Sequence, residues 1–173
     1  MTTFRPVPHS ERLLFCEMSP SDAEHFYLLN ADPEVVRYTG DPPFRDVDHA
    51  RSFLEQYNEY NNSGFGRWVL KTIHEGQFIG WCGLKRHASG EVDLGFRLLQ
   101  KEWNKGYATE ASQACLDLAF NTHRLPYVIG RAMSENKASL RVLEKIGMHF
   151  WKETDEDLHC AVCYRIDNPS LPS

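Results

Sequence analysis

No stretch of this sequence approaches the roughly 20 consecutive apolar residues that a membrane-spanning helix needs. Met1 to Ser10 also lacks the apolar core of a secretory signal. Both absences point to a cytoplasmic protein. Positive charge is in short supply: 19 lysines and arginines stand against 24 aspartates and glutamates, a formal net charge of −5. That balance argues against general binding to nucleic acid through a basic face, though not against one local phosphate site. The eight histidines never form H-x-x-x-H and have no carboxylate at ligand spacing, so neither a metal site nor a hydrolytic triad is expected. The five cysteines are odd in number and lie mostly in apolar segments, which favours buried thiols over disulfides. Cys160 and Cys163 form a C-x-x-C, but in a strand-like run residues three apart face opposite sides, and the pair reads as structural. There is no internal repeat, low-complexity tract or interdomain linker.

What remains is one domain over 1–173, with 1–10 and 167–173 as tails. A first strand, Glu11 to Met18, ends at Ser19-Pro20-Ser21-Asp22, which offers an N-cap and a proline to open a helix through Leu29. Asp32-Pro33-Glu34 starts a short helix, Val35 to Tyr38, and Gly40-Asp41-Pro42-Pro43 is a loop. Helical spacing of Ala50, Phe53, Leu54, Tyr57 and Tyr60 predicts one helix from Asp48 to about Tyr60, ended by Asn61-Asn62-Ser63-Gly64. Three strands follow, near Arg67–Lys71, Gln77–Leu84 and Glu91–Leu98, joined by short turns into an antiparallel meander. A helix to about Asn121 leads to a strand, Pro126 to Met133, which must run parallel to the strand before the helix. A helix from Asn136 to Ile146, with Leu140, Leu143 and Ile146 inward, precedes two last strands, Met148–Thr154 and Leu158–Ile166, around a turn at Asp155-Glu156-Asp157. The fold class is α/β: a mixed, mostly antiparallel central sheet of about seven strands flanked by helices.

The chain is organised around Gln100 to Ala111, where a strand, a turn of small residues and a helix start meet. The first amides of a helix have no intrahelical acceptor, and the aligned peptide dipoles leave partial positive charge there, so backbone alone holds a phosphate. Gly106 and Ala108 let an anion come close, and Lys105 adds a mobile cation. Taken alone, the segment is better read as a glycine that merely makes the turn beside a solvated lysine.

Three pieces stand in order: Trp103-Asn104-Lys105-Gly106-Tyr107-Ala108-Thr109-Glu110-Ala111, Asn136-Lys137-Ala138-Ser139 and Glu144-Lys145-Ile146-Gly147-Met148. Together they resemble the GNAT superfamily of acetyl-coenzyme A-dependent N-acetyltransferases, and most closely the RimJ/RimL group that acetylates ribosomal-protein N-termini. The likeness extends to Ser10-Glu11-Arg12-Leu13, Asp32-Pro33-Glu34-Val35 and Phe78-Ile79-Gly80, and so covers nearly the whole chain. It implies a sheet splayed between its fourth and fifth strands, usually through a β-bulge. It also implies a pyrophosphate cradle of amides over Asn104, Lys105, Gly106, Tyr107, Ala108 and Thr109. The pantetheine arm would bond the backbone of Phe96 and Leu98, with Asn136 holding it from the other side. Asn104 stands where glycine is usual, and Leu143 where many members place a tyrosine as general acid.

Acetyl transfer to an amine needs a proton acceptor, a fixed donor for the oxyanion and a group near the departing sulfur. The backbone amide of Phe96 or its neighbour is the oxyanion donor. Ser139 is the candidate beside sulfur, with helix capping as the competing role. Asp93 is the candidate base, with a solvated strand carboxylate as the alternative; Glu91 shares its face. Tyr38 and Phe65 are candidates to line the acceptor pocket, in loops around Gly40 and Gly64, or else belong to the core. The four tryptophans read as core or rim. The acceptor the resemblance implies is a protein N-terminus. A small amine such as a polyamine, aminoglycoside or amino acid is the alternative, and a non-catalytic coenzyme A-binding or protein-interaction module is the alternative of another class. Monomer and homodimer are both compatible with the chain.

Overall fold

The computed structural model describes residues 5–154 and 161–172. Period-two alternation builds its sheet. Strands β1 (Leu13–Glu17), β2 (Arg67–Thr72), β3 (Phe78–Arg86) and β4 (Val92–Leu98) form an antiparallel run, and β5 (Tyr127–Met133) then pairs parallel to β4. Strands β6 (His149–Thr154) and β7 (Ala161–Asp167) complete seven strands in the order β1-β2-β3-β4-β5-β7-β6. The predicted meander and the parallel crossover are both present.

Alternation gives the sheet two faces. Trp68, Leu70, Cys82, Leu84 and Leu94 share one core with Ala111 and Cys115 of α5 (Tyr107–Asp117) and Leu140, Leu143 and Ile146 of α6 (Lys137–Lys145). Val69 and Trp81 face the other way, against Phe26 and Leu29 of α1 (Ala23–Ala31) and Ala50 and Leu54 of α3 (Val47–Gln56). The short α2 (Pro33–Val36) is capped by the Asp32 carboxylate, which accepts from Glu34 N–H. The free thiols of Cys82, Cys115 and Cys163 are buried; Cys160 and the turn at 155–157 lie outside the described residues.

Several boundaries differ from expectation. The helix predicted from Asp48 to Tyr60 is two helices, α3 and α4 (Glu59–Ser63), because Tyr57 turns extended and its hydroxyl accepts the Arg67 amide at 2.8 Å. Helix α5 continues into a wider π turn, Leu118–Thr122. Neither tail is merely a tail. Pro8 is buried and Val7 packs on the α5 side of the core, while buried Asn168 donates to Leu125 C=O at 3.0 Å.

Candidate functional site

The sheet opens where the site begins. Strands β4 and β5 share a single register pair, Asp93 with Ile129, and separate toward Leu98 and Met133. The expected β-bulge is missing from β4: its register with β3 runs unbroken from Gly80 opposite Leu98 to Arg86 opposite Val92. The splay follows from loss of pairing after one bridge rather than from an extra residue. Leu84 N–H donates to Gly66 C=O at 2.9 Å and Leu99 N–H to Ile79 C=O at 2.9 Å, which fixes the parity of the ladder. Main-chain groups of Gly95 and Arg97 therefore face β3, and those of Phe96 and Leu98 face the slot. The Leu98 carbonyl is taken by the Trp103 indole N–H at 3.0 Å, so Leu98 offers its amide.

The slot leads into the turn before α5. Asn104 (φ 60°) and Gly106 (φ 82°) are both left-handed, and asparagine is one of the few side chains that adopts this conformation readily, which accounts for Asn104 where glycine is usual. The first backbone bond of the helix is Glu110 N–H to Gly106 C=O at 3.0 Å. Among the described residues no backbone acceptor meets the amides of Lys105, Gly106, Tyr107, Ala108 and Thr109. Lys105 is not the mobile cation expected: its ammonium sits 3.0 Å from the buried Glu102 carboxylate.

Arg12, absent from the expected site, is fastened to this turn. Its guanidinium donates to Glu110 at 2.6 Å and to Lys105 C=O at 3.0 Å, and lies 4.5 Å over the Tyr107 ring. Burial opposes ionisation of Glu110. Bonds from the Arg12 amide and guanidinium and the Ser10 hydroxyl outweigh it and hold the carboxyl below its ordinary value.

On the far wall, Asn136 caps α6 by accepting Ser139 N–H at 3.2 Å. The capping role is thus Asn136's, and the half-buried Ser139 hydroxyl has no protein partner among the described residues. Leu143 is a core residue, 2% exposed, lying against Gly130: a Cβ there would stand 2.7 Å from Leu143 Cδ2.

The opposite face of β4 carries Asp93, Gly95 and Arg97. Asp93, 8% exposed, accepts from Arg131 Nε at 3.0 Å and lies 3.3 Å from His87 Nε2, both contacts falling on Oδ2. Glu91 instead pairs with Lys152 at 3.8 Å. Arg97 bridges Asn30 and Asp41, the latter at 2.7 Å; burial pushes its guanidinium below the usual value and Asp41 opposes that. Beside it lies a cavity of about 540 Å³ between the loop with Tyr38, Gly40 and Asp41 and the β5 end with Met133 and Glu135. Tyr38 lines this cavity. Phe65 does not: it is 1% exposed and packs edge-on to His123 at 5.1 Å, and the Gly64 loop lies with it, away from the cavity.

Comparison with known proteins decides the class. The Acetyltransferase (GNAT) domain model matches residues 12–149. The uncharacterised N-acetyltransferase p20 of Bacillus licheniformis is 30% identical over 148 residues, 84% of this chain and 82% of that one. The chain belongs to the GNAT acetyltransferase family. Among solved structures, a GNAT-family acetyltransferase from Bacillus anthracis superposes with TM-score 0.79 at 27% identity, covering 93% of this chain and 98% of its own. Spermidine N-acetyltransferase from Vibrio cholerae, in complex with CoA and spermine, shares the fold at 15% identity and TM-score 0.77, covering 90% and 95%.

The acetyltransferase has a turn that fits a coenzyme pyrophosphate: amides without acceptors, an N-cap with no side chain and a cation held beside it. Spacing could not reveal Arg12, because its partner Glu110 is 98 positions away. Arg131 was missed for the same reason, 38 positions from Asp93, whereas His87 lies only six positions from Asp93 across the β3–β4 hairpin, and that predicted turn could have shown the pairing.

Proposed function

We propose that this acetyltransferase moves acetyl from acetyl-coenzyme A to a primary amine by direct attack in a ternary complex. One observation carries the reading: β4 and β5 part after the Asp93–Ile129 pair, and their slot ends at a turn whose amides have no acceptor. Acetyl-coenzyme A supplies the activated acyl group. The amides from Asn104 to Thr109 bind its pyrophosphate, the main chain of Phe96 and Leu98 lines up the arm, and Asn136 holds it through Nδ2, since Oδ1 is committed to the cap. The Phe96 N–H, facing the slot, is the fixed donor for negative charge on the acyl oxygen. Asp93, through Oδ1, takes the proton of the acceptor ammonium, with His87 beside it as the relay outward. The Ser139 hydroxyl is the donor nearest the departing sulfur. Holding both partners in one cleft provides effective molarities on the order of 10⁵ M.

The acceptor amine is the α-amino group of a protein, which the RimJ/RimL-like motifs favour, or a small molecule. A thiol-release assay with acetyl-coenzyme A separates these. Release with N-terminal peptides only supports the first and release with small amines the second, whereas coenzyme binding without release with any amine refutes turnover and leaves a binding module. The monomer and dimer forms are distinguished by light scattering.

A further inference from the structure

On the acceptor side of β4, Arg67 and Arg97 share the Trp81 ring while Arg131 lies with Asp93, and among the described residues Arg67 is left over. Arg97 has Asp41, and Arg131 has Asp93. Arg67, on β2, has neither a hydrogen bond nor an ion pair to its guanidinium among the described residues, and its Nε is buried without a partner. Its Cζ lies 4.5 Å over the Trp81 ring, and Arg97 approaches the same ring at 5.5 Å. Like charges this close repel, and the buried Nε, without an acceptor, loses hydration it does not recover from the protein.

The register explains how this arginine reaches the slot. Arg67 stands opposite Gly83, and Gly83 opposite Gly95, so the row between Arg67 and the slot has no side chains. The guanidinium extends along that row: a Cβ on Gly95 would stand 3.4 Å from Arg67 Nη2. Gly95 is itself half-exposed, two residues from Asp93, at the point where β4 leaves β5. Among the described residues Arg67 has no carboxylate partner, so it adds a positive charge beside the slot although the whole chain is negative at −5.

We infer that the acceptor amine carries an oxyanion, and that Arg67 binds it. A carboxylate or phosphate meets the flat fork of an arginine with two parallel bonds, the geometry the guanidinium is suited to. The acceptor would lie beside Gly95, whose open face Arg67 Nη2 and the Trp81 ring already cover, with its oxyanion toward Arg67 and its amine toward Asp93. This rests on the acetyl-transfer reading and narrows its acceptor to amino acids and phosphorylated amines, away from polyamines. The charge of the site overrides the net charge because exposed charges more than about 10 Å apart are screened.

The test pairs acceptors that share an amine and differ in the anion: amino acids against their C-terminal amides, phosphoethanolamine and glucosamine 6-phosphate against ethanolamine and glucosamine, with spermidine as a cationic control. Thiol release is expected with the anionic member of at least one pair, and which pair responds identifies carboxylate or phosphate as the source. In Arg67→Gln, kcat/KM for that acceptor falls about 10–100-fold, mainly through KM, while the KM for acetyl-coenzyme A stays unchanged. Arg67→Lys recovers part of the loss, since it keeps the charge and lacks the fork. The tyrosine bonds at this position go to the Arg67 main chain, so both variants keep the wild-type melting temperature within a few degrees. A second measurement is independent of turnover: quenching of tryptophan fluorescence by the N-acetylated anionic products in the presence of coenzyme A.

Preference for the amide, ethanolamine, glucosamine or spermidine members, or an Arg67→Gln variant that treats all acceptors as wild type does, overturns the inference and leaves acetyl transfer standing. No release with any of these amines or with N-terminal peptides, but Arg67-dependent binding of an anionic product, upholds the anion site and overturns the transfer reading. Neither release nor Arg67-dependent binding overturns both.

Discussion

Replacing Gly106 with alanine separates the strain of a turn from the loss of a ligand site. Gly106 is left-handed at φ 82°, where a Cβ costs about 1–2 kcal/mol, and that Cβ would sit 3.3 Å from Arg12 Nη2. The same strain without a ligand is available at Gly76, at φ 64° in the β2–β3 turn, where an added Cβ meets nothing within 4 Å. Both variants should lose about 1–2 kcal/mol, or roughly 2–8 °C in Tm for a domain of this size. Only Gly106→Ala alters the cradle. Disturbing one amide-to-phosphate bond, worth about 1.5–3 kcal/mol when one partner is charged, raises the Kd for coenzyme A by about 10–100-fold. Calorimetric titration with coenzyme A needs no acceptor and reads this directly. Equal affinity in Gly106→Ala and Gly76→Ala would refute the placement of the pyrophosphate at this turn, however the melting temperatures fall.

Three further expectations follow from particular contacts. Ser139→Ala should lower kcat at saturating substrates by about 10²-fold if its hydroxyl assists the departing sulfur, and should barely move Tm, because the cap belongs to Asn136; an unchanged kcat removes Ser139 from the chemistry. Burial, with Arg86 adding to it, lowers the folded-state pKa of His123, whose Nε2 is buried without a partner. The unfolded chain therefore takes up this proton first, below about pH 6.5, and stability is lost as the pH falls through that value. Urea midpoints of His123→Phe at pH 7.5 and 5.5 should differ less than those of the wild type, and an equal difference contradicts the assignment. For the Arg12–Glu110 tether the folded carboxyl is depressed, so its stabilisation is complete at neutral pH and fades as pH falls below about 4.3. Arg12→Gln should lose only about 0.5–1 kcal/mol at pH 7, Arg12 being half exposed, with the deficit shrinking in acid; a deficit constant down to pH 3 counts against it.

Local pattern made much of this fold legible. The meander follows from three alternating runs with short turns, and the parallel β5 from a helix too long to be a hairpin connection. The inward faces of α6 were readable because Leu140, Leu143 and Ile146 recur at helical spacing. What was not legible depends on contacts distant in sequence. Tyr57 fits the apolar stripe of a continuous helix, and its break into an extended backbone depends on the Arg67 amide, which its hydroxyl meets on a strand distant in sequence. The insertion of β7 between β5 and β6 leaves no local trace. Arg67 and Arg97 each look like an ordinary solvated position of a strand, and their meeting at Trp81 appears only once β2, β3 and β4 are in register. Pattern also left out the local partner of Lys105, the buried Glu102 carboxylate three residues earlier, which lies 3.0 Å from its ammonium.

Strand β4 faces both substrates for one physical reason. Side chains alternate across a sheet while main-chain groups alternate between its edges. Phe96 packs with the α5 side and turns its amide to the slot; Asp93, Gly95 and Arg97 face the cavity side and turn their amides to β3. A slip of one residue between β3 and β4 would exchange these sets, placing arginine and aspartate in the core and apolar side chains over the acceptor. Gly80 guards against that slip: a Cβ there would stand 2.1 Å from the Arg97 carbonyl oxygen and 2.7 Å from Leu98 Cα. Only a residue without a side chain admits Arg97 and Leu98 so closely, and this holds the lip of the slot to the third strand. The precision of the donor side thus rests on backbone packing in β3, directly behind the strand that lines up the coenzyme arm.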